Sequence, residues 1–204
     1  MADASHAGEV GLLLPSGCRI THGRGANIKK PFPEMIPDLT MHELSAGNSD
    51  GFKGQLGLIQ FDEDMRLPRH IHMNKEKTKL LTERIIVLNG VGMVELAGKV
   101  YVVAPGSLTD IKGGVPHTWT ACPAGVKLPG KSTVSDGSFT MIYEYEEVTS
   151  FFPTETTTPV VDVRGYRAYT GDLEEIRFPK LSAQQVVDTA ELVYDNYLED
   201  LSLA

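Results

Sequence analysis

Cysteine, basic charge and long apolar runs are all scarce in this chain, and each scarcity excludes a class of protein. The 204 residues include only two cysteines, Cys18 and Cys122, too few for a disulfide framework and without Cys-x-x-Cys spacing. The formal net charge is −8, which argues against binding to a nucleic-acid backbone. The longest apolar runs, such as 85–88, are far shorter than the roughly 20 residues that span a bilayer. The first residues lack the basic segment of a secretory signal. We therefore expect a cytoplasmic protein with neither nucleic-acid nor membrane partners.

The composition that remains is that of an ordinary globular protein. Apolar residues make up 41% of the chain and charged residues 23%, and the length suffices for one sizeable core. Residues 1–54 are rich in Gly, Pro and Asn, and we interpret them as an arm with one or two edge strands. Residues 55–150 are predicted to form a β-barrel, and residues 151–204 a C-terminal extension.

The central region alternates short strand-like runs with turn signals such as Asn89-Gly90 and Ala97-Gly98. Regularly spaced short strands of this kind are typical of an all-β sandwich or barrel. The predicted strands are 55–61, 68–73, 84–88, 92–96, 100–103, 107–111, 117–121 and 139–146.

The extension contains the long helix that the sequence predicts. Ser182 with Gln185 three residues later resembles a capping box. Apolar residues then follow at helical spacing: Val186, Ala190, Val193, Tyr194, Tyr197 and Leu201. We expect an amphipathic helix from about 182 to 200.

The strongest functional signal is the pair His70 and His72, followed by Glu83 and, 45 residues after His72, by His117. A strand alternates its side chains between two faces, so both members of the pair point to the same side, about 7 Å apart along the strand. Imidazole and carboxylate groups can together chelate one divalent ion in an open, mostly nitrogen-ligand site.

This pattern resembles the two motifs of the cupin superfamily over residues 55–147. The first motif has a His-x-His pair and a glutamate followed after six residues by a glycine, as Glu83 is by Gly90. The second has a glycine, then Pro-x-Gly after five residues, then a histidine, which matches Gly106, Gly114 and His117. The resemblance implies an all-β fold, a single jelly-roll barrel, with one metal ion on His70, His72, Glu83 and His117.

Four positions depart from the cupin motifs. Asp64 stands at the first glycine, Lys112 at the proline and Ala121 at the terminal asparagine. The fourth departure is the gap between the pair and the glutamate, which holds ten residues, 73–82, instead of three or four. Glu76 therefore lies at the family's usual spacing and is an alternative ligand. We favour Glu83, because only Glu83 is followed by a strand and a glycine turn at the family's spacing.

The same strands offer candidate substrate-contacting residues. Trp119 and Ala121 share a strand face with His117, so we expect Trp119 to form an apolar wall suited to an aromatic or polyketide-like substrate. Core packing is an equally acceptable role for this tryptophan. Ala121 would widen the cavity relative to asparagine. Tyr143 is a third candidate, although the sequence does not say which face of its strand is inside.

The resemblance implies metal-centred chemistry on a small molecule, with Fe(II) favoured and Mn, Ni or Zn as alternatives. The first functional hypothesis is a cupin-type dioxygenase. The second is a non-oxidative isomerase, cyclase, decarboxylase or lyase. The third is a small-ligand-binding cupin without turnover. Fold alone does not choose among them.

A homodimer is also expected, partly from the family habit. The Gly- and Pro-rich arm suits exchange of strands across a two-fold axis, and the extension carries more apolar surface than one strand pair needs. A monomer, with both segments covering their own barrel, is the alternative.

Overall fold

The computed structural model describes residues 11–22, 27–29, 41–43, 56–130, 133–147 and 149–204, and nearly all of its regular structure is β-strand. Numbered in chain order, the strands are β1 (Leu12–Leu13), β2 (Arg19–Thr21), β3 (Asn27–Lys29), β4 (Met41–Glu43), β5 (Leu56–Asp62), β6 (His70–Ile71), β7 (Glu83–Gly90), β8 (Gly92–Leu96), β9 (Lys99–Val103), β10 (Leu108–Ile111), β11 (His117–Ala121), β12 (Val126–Lys127), β13 (Ser138–Tyr145), β14 (Phe152–Pro153), β15 (Glu191–Tyr194), β16 (Tyr197–Glu199) and β17 (Ser202–Leu203). One α-helix, α1, spans Ala183–Thr189, and two short 3₁₀ turns lie at Val163–Gly165 and Leu173–Ile176.

Two large sheets carry the fold. The first has the order β1-β2-β10-β7-β13-β5, and the second β14-β6-β11-β8-β9-β15-β16. Small pairs β12-β17 and β3-β4 complete the described strands. The predicted all-β, jelly-roll class is confirmed, in an open form: among the described strands no ladder joins the two large sheets.

The main core lies between the two sheets because every second residue of their strands faces inward. Ile85 and Val87 of β7, Phe139 of β13 and Val94 of β8 belong to one buried cluster, which we call the inner core. Tyr143, four residues beyond Phe139 on β13, packs against the same cluster. The face of β13 that carries Tyr143 is therefore the interior face, which the sequence left open.

A second apolar layer, the outer core, lies on the opposite face of the seven-stranded sheet. Met93 and Val102 point into it from β8 and β9, and Phe178, Val186 and Leu192 of the extension cover them. The C-terminal extension is thus held by burial of its own apolar side chains, which is the dominant favourable term in folding.

The predicted helix over 182–200 is wrong beyond Thr189. Its start is as expected, because Ser182 and Gln185 form a complete capping box. The chain then forms the hairpin β15-β16, in which Asp195 and Asn196 make the turn with φ of 50° and 70°. Asp and Asn tolerate such positive φ, which two-residue hairpin turns require. Strand β15 also pairs in parallel with β9, and this long-range ladder outweighs the helical spacing.

Residues 11–22 of the N-terminal arm form an edge of the first sheet. Strand β2 pairs with β10 and β1 pairs with β2. Of the strands predicted between 55 and 146, β8 and β11 have the expected bounds. No helix in the described residues has the length and apolar character needed to cross a membrane.

A homodimer remains our prediction. The outward face of the first sheet exposes Leu58 by 60% and Leu88 by 47%, beside half-buried Ile86 and Ile142, and burial of such apolar area favours association. Multi-angle light scattering at micromolar concentration should give about twice the 22.3 kDa of one chain. A mass of one chain would show that the protein is a monomer.

Candidate metal centre

The second sheet brings the three predicted histidines together. His70 at the start of β6 lies directly opposite His117 at the start of β11, and His72 shares the inward face two residues further on. One ring nitrogen from each of these residues lies within 4.8 Å of the others. Each side chain is about 1% exposed. We call these three residues the histidine cluster.

Backbone carbonyls fix the orientation of every ring in the cluster. The Nδ1 atoms of His70, His72 and His117 lie 2.7, 2.9 and 2.9 Å from the carbonyl oxygens of Pro68, Ser150 and Val115. A carbonyl oxygen only accepts, so each Nδ1 is the donor, and in the neutral imidazole Nε2 then carries the lone pair. Ligand histidines in metal sites show the same arrangement.

The fourth group comes from the facing sheet. Glu83 begins β7 and is buried, and its Oε2 lies 2.9 Å from Nε2 of His117 and 3.6 Å from Nε2 of His72. None of these three atoms has a hydrogen-bond partner. Buried polar atoms are rarely left unpaired, and a cation between these atoms would pair all three of them. The donor set therefore fits a metal ion.

The charge states of these groups agree with metal binding. Burial, and repulsion from the other two histidines, lowers the pKa of His70 well below its ordinary value, so its imidazole is neutral near pH 7. Burial alone would raise the pKa of Glu83, but attraction to His72 and His117 outweighs it and holds that pKa far below the usual range. A neutral His70 imidazole and an ionised Glu83 carboxylate suit Fe(II), Mn(II), Ni(II) or Zn(II).

The ten-residue insertion keeps Glu76 away from the site. Residues 73–80 form a small hairpin closed by the Met73–Leu80 bridge, and the side chain of Asn74 accepts from the backbone amides of Thr78 and Lys79. Glu76 lies at its exposed tip. The structure thus places Glu83, and not Glu76, beside the histidine cluster.

This placement predicts that only one of two glutamate substitutions weakens metal binding. Glu83→Ala removes a buried anionic group from the site, so metal affinity should fall by a factor on the order of 10–100 or more. Glu76→Ala alters an exposed side chain and should leave the affinity unchanged. Competition with a chromophoric chelator measures both, and equal affinities in the two variants would contradict the assignment.

Two aromatic residues that sequence reasoning did not assign to the site flank the cluster. The rings of Tyr145 and His72 are 4.5 Å apart, and burial together with the neighbouring Glu83 carboxylate raises the pKa of Tyr145, so its phenol stays protonated. Phe151 lies 4.5 Å from the ring of His70. The alternation along β13 was a signal for Tyr145. No local pattern marked Phe151, which lies between strands β13 and β14.

The predicted substrate-contacting residues take up different positions. Trp119 is 1% exposed and belongs to the inner core, with its ring 6.0 Å from Phe139, so it packs as a core residue. Its Nε1 has no hydrogen-bond partner. Ala121 is also buried in the inner core. Tyr143 is half-buried, 5.1 Å from the ring of Tyr145.

Comparison with known proteins gives only distant structural likeness. No known family profile matches the sequence, and no curated protein matches it. A dTDP sugar isomerase from Desulfovibrio desulfuricans G20 superposes with a TM-score of 0.43 at 10% identity, over 74% of this chain and 94% of that one. For salicylate 1,2-dioxygenase from Pseudaminobacter salicylatoxidans the TM-score is 0.31 at 11% identity, over 45% of this chain and 20% of that one. A conserved protein of unknown function from Streptococcus pyogenes gives 0.32 at 18% identity, over 47% and 67%.

The assignment of the chain rests on its own topology and motifs. Two facing sheets bring the His-x-His pair, the glutamate of the first motif and the histidine of the second motif to one buried point. The first-motif glycine, Gly90, and the second-motif glycine, Gly114, both have positive φ, as turn glycines do. The fold and the convergence of both motifs therefore agree with the resemblance to the cupin superfamily that the sequence indicates.

Proposed function

We propose that this protein is a metal-dependent enzyme acting on a small metabolite, and specifically an oxygenase that uses Fe(II). The observation that carries the proposal is the set of buried, unpaired atoms that converge between the sheets: Nε2 of His72, Nε2 of His117 and Oε2 of Glu83. A purely structural site would pair these atoms with one another or with the backbone.

Each residue of the site has a distinct task in this proposal. His70, His72, His117 and Glu83 would hold the ion, and the ion would supply Lewis-acid or oxygen-activating chemistry to an oxygen-bearing substrate. The three Nδ1–H donors keep the lone pairs aimed inward. Glu83 brings the negative charge that offsets part of the cation's charge, and the Tyr145 phenol holds its proton beside that carboxylate.

Four protein ligands leave one or two positions open on a six-coordinate ion. A phenolate, an enolate or a hydroxyketone has the oxygen atoms to occupy such positions. The near-complete burial of the histidine cluster excludes bulk water, which strengthens electrostatic interactions with charge that develops on the substrate.

Non-oxidative chemistry is the second candidate, and Tyr145 is the observation that favours it. A protonated phenol next to an ionised carboxylate is suited to proton transfer, as an isomerase, cyclase or lyase requires. Tyr145→Phe should then lower turnover under anaerobic conditions while leaving the metal content of the protein unchanged.

Metal analysis combined with oxygen-electrode measurements tests the proposal. The purified protein should contain about one metal ion per chain, and with iron it should consume O₂ when phenols, hydroxyketones or 1,3-diketones are added. Turnover without O₂ on a redox-silent ion would favour the second candidate. A protein that takes up no Fe, Mn, Ni or Zn would contradict both, and would leave a ligand-binding cupin without turnover.

We also propose that the partners are limited to a small-molecule substrate and a second copy of the chain, in the cytoplasm. The net charge of −8 supports the absence of a nucleic-acid partner, since such binding requires a basic surface.

A further inference from the structure

One exposed aromatic side chain lies directly over the histidine cluster. Phe151 is 46% exposed, and its ring centroid lies 4.5 Å from that of His70 and 5.5 Å from that of His72, with interplanar angles of 66° and 61°. These are edge-to-face contacts of ordinary aromatic geometry. Phe151 therefore has one side against the two buried imidazoles and the other toward solvent.

The backbone on both sides of Phe151 is tied to the strand that carries the histidines. The Ser150 carbonyl accepts from Nδ1 of His72 at 2.9 Å, and the Thr149 hydroxyl donates to the Met73 carbonyl at 2.6 Å. On the other side, Phe152 of β14 pairs with Ile71 of β6. The backbone of Phe151 is thus held in place relative to the cluster by the chain itself.

Two tyrosine rings lie near the other members of the histidine cluster. Tyr145 lies 4.5 Å from the ring of His72, and Tyr143 lies 5.1 Å from Tyr145. Trp119, in contrast, is buried against Phe139 in the inner core. The aromatic wall that the sequence assigned to Trp119 is therefore provided at the cluster by Phe151.

We propose that Phe151 is a specificity-determining residue that contacts the substrate and selects molecules with a planar apolar group next to the oxygen atoms that bind the metal. This inference rests on the proposed metal site, but not on the oxygenase reaction. A large exposed apolar ring over a polar centre loses water contact when a flat apolar group packs on it, whereas a small aliphatic substrate gains little from it.

Two hydroxamates that share a metal-binding group provide a matched test. Benzohydroxamate and acetohydroxamate differ in a phenyl against a methyl group, and the cobalt(II)-loaded protein reports their binding by visible absorption. The ratio of their two Kd values is compared between the wild type, Phe151→Ala and Phe151→Leu, so the intrinsic difference between the hydroxamates cancels. Cobalt content is measured in all three proteins.

In the Phe151→Ala protein the preference for benzohydroxamate over acetohydroxamate should fall about fivefold, because an aromatic pair contributes on the order of 1 kcal/mol. Its Kd for acetohydroxamate and its cobalt content should match the wild type. Phe151→Leu, which keeps apolar contact without the ring, should lie between the two. The oxygenase proposal can fail separately. If Phe151→Ala loses the preference for benzohydroxamate but the wild-type protein consumes no O₂, the result supports the role of Phe151 and contradicts the oxygenase reaction.

Three outcomes would overturn the inference. The first is an unchanged ratio in Phe151→Ala. The second is an equal rise of both Kd values, which would show a structural role for the ring. The third is a wild-type protein that binds neither cobalt nor hydroxamate, and this outcome would also contradict the proposed metal site.

Discussion

Replacing His72 by alanine should remove most of the bound metal and all activity. His72 contributes an unpaired Nε2 to the buried site and is oriented by the Ser150 carbonyl, so the alanine variant loses one of the four candidate ligands. Inductively coupled plasma analysis of the purified variant should show a small fraction of the wild-type metal content.

Thermal unfolding gives a second measurement of the same effect. A ligand that binds only the folded state stabilises it by about 2.7 kcal/mol at a free concentration of 100 times its Kd, so the metal should raise the Tm of the wild type. The His72→Ala protein should show almost no shift, while Glu76→Ala, at the exposed hairpin tip, should behave as the wild type. Full metal occupancy and normal turnover in His72→Ala would refute the site.

Gly90→Ala should be among the most destabilising single substitutions in the fold. Gly90 has a φ of +68°, and a Cβ at this position would lie 2.1 Å from the Ser138 carbonyl oxygen and 2.7 Å from Cα of Phe139. Both neighbours are backbone atoms, which side-chain rotation cannot move. We expect a loss of about 3 kcal/mol or more in the free energy of unfolding, from left-handed backbone strain and the clash together.

Gly106→Ala is the matched control for this substitution. Gly106 has a similar φ of +83°, but no atom lies within 4 Å of the added Cβ, so only the backbone term applies, on the order of 1 kcal/mol. Urea unfolding of both variants, with the m-value checked for constancy, separates the two contributions. If both variants lose the same free energy of unfolding, the close approach of β13 is not the reason for glycine at position 90.

Local sequence patterns determined much of the central fold. The bounds of β8 and β11 agree with the sequence prediction, because period-two alternation and turn residues such as Ala97-Gly98 act over a few neighbouring positions. The same alternation places the side chains of His70 and His72 on one face of their strand. The motif spacing then indicated that His117 would join them, which the pairing of β6 with β11 achieves.

The C-terminal extension shows where local patterns fail. The capping box predicted at Ser182 is present. After Thr189, however, the apolar residues fit helical spacing while the run Leu192–Tyr194 also suits a buried strand. Tertiary contacts decided between them: β15 adds to β9 in parallel, with Val193 in the inner core and Leu192 in the outer core. A strand buried on both faces gains contacts that a surface helix lacks, and no window of sequence contains its partner strand.

The sequence by itself determined the fold class, the ligand-type residues and the strand faces on which they lie. Only the tertiary structure decided that Glu83 faces the cluster while Glu76 is exposed on a hairpin, that Trp119 packs in the core, and that Phe151 covers the histidines. The physical reason is range: side-chain alternation is a property of neighbouring residues, whereas each of these three outcomes depends on which strands pair across long stretches of chain.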